Sequence, residues 1–84
     1  MTEREIQLLG FEVNHDDGDG QWEKYHYYTY NVARGLEFIS NASDEIEDDG
    51  KWYIEFFDSD PTIRFTEFGE VQALINLLTS RIVK

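Results

Sequence analysis

The spacing of apolar positions switches from helical to alternating and back to helical along the chain. In "TEREIQLL", residues 2–9, Thr2 is followed three positions later by Glu5, the spacing of a capping box in which each side chain satisfies the other residue's free amide. Ile6 and Leu9 then share one side of a short helix, and Gly10 is placed to end it. So short a helix must dock to persist. Alternation takes over in "FEVN" (11–14), which reads as a strand leading into the loop "HDDGDG". In "QWEKYHYYTYNV" (21–32) a regular strand puts Trp22, His26, Tyr28, Tyr30 and Val32 on one side and Tyr25, Tyr27 and Thr29 on the other. "ARG" is a tight connection in which Gly35 is free to take positive φ. "LEFISNA" (36–42) follows, with Leu36 and Phe38 opposed to Glu37 and Ile39.

"SDEIEDDG" (43–50) is a polar loop with five acids and no base. "KWYIEFFD" (51–58) alternates again, Trp52, Ile54 and Phe56 against Tyr53, Glu55 and Phe57. Pro61 separates it from "TIRFT", a further strand or edge segment. Thr66 is positioned to cap a last helix whose apolar residues, Phe68, Val71, Leu74, Ile75, Leu78 and Ile82, recur at intervals that keep them on one face. Arg81 and Lys84 near its end suit the helix dipole.

These elements predict a single α+β domain over residues 1–84: a short N-terminal helix, an antiparallel meander of four to five strands, and a C-terminal amphipathic helix packed on one sheet face. Trp52, Ile54, Phe56, Ile63 and Phe65 are expected beneath that helix.

Composition narrows what such a domain can do. A chain of this size buries only about 60–65% of the surface it exposes when unfolded. The 84 residues include no cysteine, which excludes a disulfide framework and a thiolate metal site, so packing of the aromatic 15% has to supply stability. No apolar run approaches the roughly 18 residues needed to span a bilayer, and the first residues lack the pattern of a secretory signal. A soluble, cytoplasmic protein is expected. The net charge of −11, from 18 acids and 7 bases, disfavours direct binding to nucleic acid or its backbone. It suits a basic protein partner, including one whose own ligand is DNA or RNA.

Candidate chemistry is sparse. Aligning Gly20 with the invariant glycine of an EF-hand loop puts Asp17 and Asp19 at the third and fifth positions. His15 and His26 then fall at the first and twelfth, where an aspartate and a bidentate glutamate are needed. A solvated turn accounts for the loop better, and a weak divalent-cation site is the lesser alternative. The acids of 43–50 read as a solvated or interacting loop rather than a metal site. The serines lack a nucleophile-elbow context, and neither a glycine-rich phosphate loop nor a paired-histidine zinc motif is present. No catalytic residue, cofactor or metal site is assigned, and no enzymatic activity is expected.

The tyrosines of "KYHYYTY" (24–30) divide between two faces. Tyr28 and Tyr30 are placed with the helix-covered core, their hydroxyls reaching its rim, while alternation alone equally allows the two faces to be exchanged. Tyr25, Tyr27, Tyr53, Phe57 and Ile39 share the other face. If the N-terminal helix covers that face they form a second layer of core; if it does not, they form an exposed aromatic patch of the kind that binds partners. Alternation leaves both open. Acids assigned to loops, where burial does not explain them, complete the candidate partner-binding set: Asp16, Asp17, Asp19, Tyr25, Tyr27, Asp44, Glu45, Glu47, Asp48, Asp49 and Tyr53.

The run of "LLGFE", an aromatic strand, "LEFISNASDE" and "WYIEFFDSDPTIRFTEFGEVQALINLL" resembles small uncharacterised acidic proteins of bacteria, phages and mobile elements. The resemblance covers most of the chain, carries no established activity and transfers no functional residue. Small acidic phage proteins include anti-CRISPR and other anti-defence inhibitors, some of which imitate nucleic-acid charge. The expected function is therefore a non-enzymatic acidic protein-binding module, an inhibitor that blocks a basic nucleic-acid-binding protein by charge and steric competition. The alternative is a structural homodimer paired through its aromatic sheet face.

Overall fold

A computed structural model describes residues 1–16, 25–46 and 50–83. Helix α1 (Glu3–Leu8) is followed by strands β1 (Glu12–Asp16), β2 (Tyr25–Ala33) and β3 (Leu36–Ser40), a 3₁₀ turn at Ser43–Glu45, strands β4 (Ile54–Phe56) and β5 (Arg64–Phe65), and helix α2 (Phe68–Ser80). The strands form one antiparallel sheet in the order β1-β2-β3-β4-β5, the meander that short consecutive links favour. The chain is thus α+β, as its periodicities predict.

Helix α1 begins where the capping box places it. The Glu5 amide donates to Thr2 Oγ1 at 3.2 Å and the Thr2 amide to Glu5 Oε1 at 2.8 Å. Gly10, with φ +92°, carries the chain out of the helix and into β1. Gly35, with φ +84°, does the same between β2 and β3, next to a register shift at Asn31/Ala33. Ahead of α1, the Trp52 amide donates to the Met1 carbonyl at 2.9 Å, which ties the first residue to the segment entering β4.

Both helices lie on the same side of the sheet. Ile6 of α1 and Val71 and Ile75 of α2 form one buried cluster with Phe11, Tyr28, Phe38, Trp52 and Ile54. Phe38 is the centre of its aromatic part: its ring stacks on Phe56 at 4.8 Å between centroids and meets Phe11 and Phe65 at 6.3 and 6.5 Å. The even-numbered residues of β2, β3 and β4 therefore face the helices, as alternation requires.

Four expectations need correction. Ile63 is 46% exposed and does not lie beneath α2, because only Arg64 and Phe65 join the sheet and Phe65 alone of the pair turns toward the core. The N-cap of α2 is Glu67, without a side-chain hydrogen bond, and Thr66 instead extends the approach. The strand read over 51–58 contracts to three residues, because Phe57 and Asp58 already turn, Asp58 at φ 60°. His15 and Asp16, read as loop, complete β1, where they pair with His26 and Tyr25. Trp22 lies outside the described residues.

Candidate protein-binding surface

The sheet face opposite the helices is built by the odd-numbered residues of β2, β3 and β4. Pairing aligns Glu12, Thr29, Ile39, Glu55 and Arg64 in one row across all five strands. A neighbouring row sets Asn14 against Tyr27, and the Asn41 amide donates to the Tyr53 carbonyl at 3.3 Å, extending the pairing beyond β3. Since α1 and α2 both pack on the other side, neither helix covers these residues. Among the described residues, Tyr25, Tyr27, Ile39 and Tyr53 are half-buried and Phe57 is exposed, so this face is not a second core layer beneath α1.

Its composition is amphipathic. Tyr25 and Tyr27 lie with ring centroids 6.3 Å apart and planes inclined by 32°. With Ile39, Ser40, Ala42 and Glu45 they line a shallow hollow of about 250 Å³. Phe57, 59% exposed, continues the face past β4. Asn14 Nδ2 donates to Thr29 Oγ1 at 2.8 Å, a polar pair at the β1 side. At the other side Arg64 Nε donates to Glu55 Oε2 at 2.8 Å, and the guanidinium carbon lies 3.9 Å above the Tyr53 ring. Arg64 is held above its ordinary range, first by that hydrogen bond to Glu55. Local pattern alone does not reveal this pair, although Glu55 and Arg64 fall on adjacent strands, which is its one signal in the sequence.

Of the candidate binding residues, Tyr25, Tyr27 and Glu45 meet in the hollow. Asp44 is exposed in the adjoining 3₁₀ turn, where the Ala42 amide approaches Glu45 Oε1 at 3.4 Å. Tyr53 occupies the same face under Arg64, and Asp16 ends β1 opposite Tyr25. Asp17, Asp19, Glu47, Asp48 and Asp49 lie outside the described residues.

The helix side carries a second feature, brought together from α1 and β2 by residues far apart in sequence. Tyr28 donates its hydroxyl to Glu3 Oε2 at 2.6 Å and accepts from Gln7 Nε2 at 3.1 Å; His26 Nε2 is 2.6 Å from the same Glu3 oxygen. Glu3 and Gln7 are four residues apart on α1 and so reach the same tyrosine. The Tyr28 hydrogen bond is the chief reason Glu3 stays below the usual carboxylate range, against the opposing effect of burial and with help from His26. Burial, followed by the Glu3 contact, raises Tyr28 above its ordinary value. Beside this network, Gln7, Phe11, Val13, His15, His26 and Tyr28 border an open groove of about 340 Å³.

Among the described residues, no group of three or more histidine or acidic side chains is arranged to hold a metal ion, and no helix is long and apolar enough to cross a membrane. No family model, curated protein or solved structure matches the chain.

Proposed function

We propose that the chain is a non-enzymatic protein-binding module whose uncovered sheet face docks on a basic surface of another protein. The observation that carries this reading is the side-by-side placement of Tyr25, Tyr27 and Ile39 with Glu45 on a face that neither helix covers. Tyrosine rings supply contact area at little conformational cost, and flanking carboxylates select a basic counterpart and speed the encounter. Glu12, Glu37 and Glu55 on the same face, and Asp44 in the adjacent turn, extend the acidic surround. The partner that best fits a net charge of −11 is a nucleic-acid-binding protein, whose basic site the module occupies in place of phosphates. The module is then an inhibitor of the anti-defence kind found among small acidic phage proteins, acting in the cytoplasm.

The test is a capture experiment on bacterial lysate with the wild-type chain and a Tyr25→Ser/Tyr27→Ser variant. Captured proteins are eluted by rising salt, identified, and assayed for nucleic-acid binding in the presence of the module. A basic protein that elutes with salt, is lost in the variant and releases its nucleic acid when the module is added supports the proposal. Recovery of the module alone, as a dimer whose stability rises with salt as acidic faces cease to repel, overturns it in favour of self-association.

A further inference from the structure

The outer edge of β1 is one end of the five-stranded sheet, and the direction of its hydrogen-bonding groups follows from the register. The amides of Tyr28 and His26 donate to the hydroxyls of Ser40 and Ser43, at 2.9 and 3.0 Å, so they point toward the β3 side. Alternation turns the amides of Tyr25, Tyr27 and Thr29 toward β1, where Asp16, Asn14 and Glu12 are their partners. The N–H and C=O groups of Val13 and His15 must then point away from the sheet. Among the described residues no further strand lies on that side, since β1 ends the strand order.

Val13 and His15 also border the groove described above, with α1 contributing Gln7 to its far wall. Val13 is 48% exposed, an apolar position on the helix side of the sheet that neither α1 nor α2 covers. Outward backbone groups and a groove beside them are the two parts of a strand-addition site: main-chain bonds supply affinity and alternate side chains enter the groove.

Charge decides the occupant. Strand β1 and the residue before it, 11–16, contain Glu12 and Asp16 and no Lys or Arg, in a chain of net charge −11. Antiparallel pairing of β1 with a second copy about Asn14 would set Glu12 against Asp16 at both ends, opposing like charges. A strand with basic residues at those positions has the opposite balance. We propose that β1 accepts an extended basic segment of a partner protein as a sixth strand, with apolar residues entering the groove beside Val13 and His15 and alternating Lys or Arg residues on the Glu12 side. The inference rests on the reading of the chain as a binder of basic proteins and adds the mode of engagement.

The probe is an acetylated, amidated Lys-Val-Lys-Val-Lys peptide titrated into the ¹⁵N-labelled full chain. An acidic Glu-Val-Glu-Val-Glu peptide and a version of the basic peptide N-methylated at alternate residues serve as comparisons. The basic peptide is expected to shift the Val13 and His15 amide signals, to bind more weakly as salt rises, and to exceed the acidic peptide in affinity. N-methylation in the phase that removes the donors, and Val13→Pro, are each expected to weaken binding by about tenfold. Proline at 13 removes an amide that faces outward, so the β1–β2 ladder keeps its bonds; the methylated peptide tests the same donors without altering the protein.

Absence of basic-peptide binding, equal binding of the acidic peptide, or binding unaffected by methylation in either phase overturns the edge assignment. So do shifts confined to Tyr25, Tyr27 and Tyr53. None of these results affects partner capture through the tyrosine face, which the Tyr25→Ser/Tyr27→Ser variant tests separately.

Discussion

The Tyr28 hydroxyl and the Glu3 carboxylate meet at 2.6 Å across the junction of α1 with β2. Helix α1 has only six residues, too few to persist alone, so this bond and the burial of Ile6 hold it on the sheet. Glu3→Gln replaces a charged acceptor by a neutral one. Because the Glu3 side chain is 37% exposed, solvent screening reduces the expected loss to about 1 kcal/mol at neutral pH. The folded carboxylate titrates below its ordinary 4.5, so its contribution is complete above that value and disappears as pH falls through the lower, folded one. Urea midpoints measured from pH 6 to pH 3 should therefore fall less steeply in Glu3→Gln than in the wild type.

Tyr28 governs the alkaline side of the same contact. Burial and the Glu3 carboxylate favour its neutral form, which raises its titration above the ordinary 10.0. The associated stability is complete below that value and is lost as pH rises toward the folded one. Tyr28→Phe cannot ionise and should lack this component, while losing the Glu3 and Gln7 hydrogen bonds at every pH. Denaturation midpoints between pH 8 and pH 11 distinguish the two effects: a parallel decline in both proteins would remove Tyr28 as the titrating group.

Phe38 has no exposed surface and contacts rings from three other segments, Phe11, Phe56 and Phe65. Truncation leaves a cavity that these rings cannot all collapse into, and Phe38→Ala is expected to cost about 3–5 kcal/mol. A domain of this length has roughly 4–12 kcal/mol in total. Calorimetry should show a large fall in Tm or no cooperative transition, and a shift of only a few degrees would mean that the centre of the core lies elsewhere.

Much of this architecture is legible in local pattern. Thr2 and Glu5 mark the start of α1, and Gly10 and Gly35 mark reversals that need positive φ. Alternation separates Tyr28 from Tyr25 and Tyr27. What alternation cannot carry is which face the helices choose, because both faces of β2 are aromatic and the choice depends on contacts from Ile6 and Val71, far apart in sequence. The pairing of Arg64 with Glu55 and the convergence of Glu3, Gln7 and His26 on or around Tyr28 are likewise products of register. Ile63 shows the converse: its parity fits the core only if the strand extends that far, and β5 does not.

Gly10 tests the link between α1 and β1. Its φ of +92° is strained for any L side chain, and a methyl group there would also sit 3.8 Å from the Tyr30 ring, an ordinary contact distance. The cost of Gly10→Ala is thus conformational rather than steric, about 1 kcal/mol. That corresponds to a Tm decrease of roughly 4–8 °C for a domain of this size. Gly10→Asn should recover part of it, since asparagine tolerates the left-handed region better than alanine; equal melting of the two variants would indicate that the backbone there relaxes.

Arg64 makes the sharpest test of the open face, because two of its effects act in opposite directions. It screens Glu55 and lies over Tyr53, so it adds order to one end of the surface while lowering its negative potential and masking an aromatic ring. Its side chain is 52% exposed, and an exposed pair of this kind contributes little to folding, so Arg64→Ala should leave the melting temperature almost unchanged. On the proposed docking of this face with a basic protein, the same substitution frees the Glu55 carboxylate and the Tyr53 ring for the partner. Association should become faster and more sensitive to salt, an effect readable by stopped-flow fluorescence with the captured partner at two ionic strengths. Slower association in Arg64→Ala would show that the partner meets this end of the sheet through Arg64 itself, with an acidic rather than a basic group opposite.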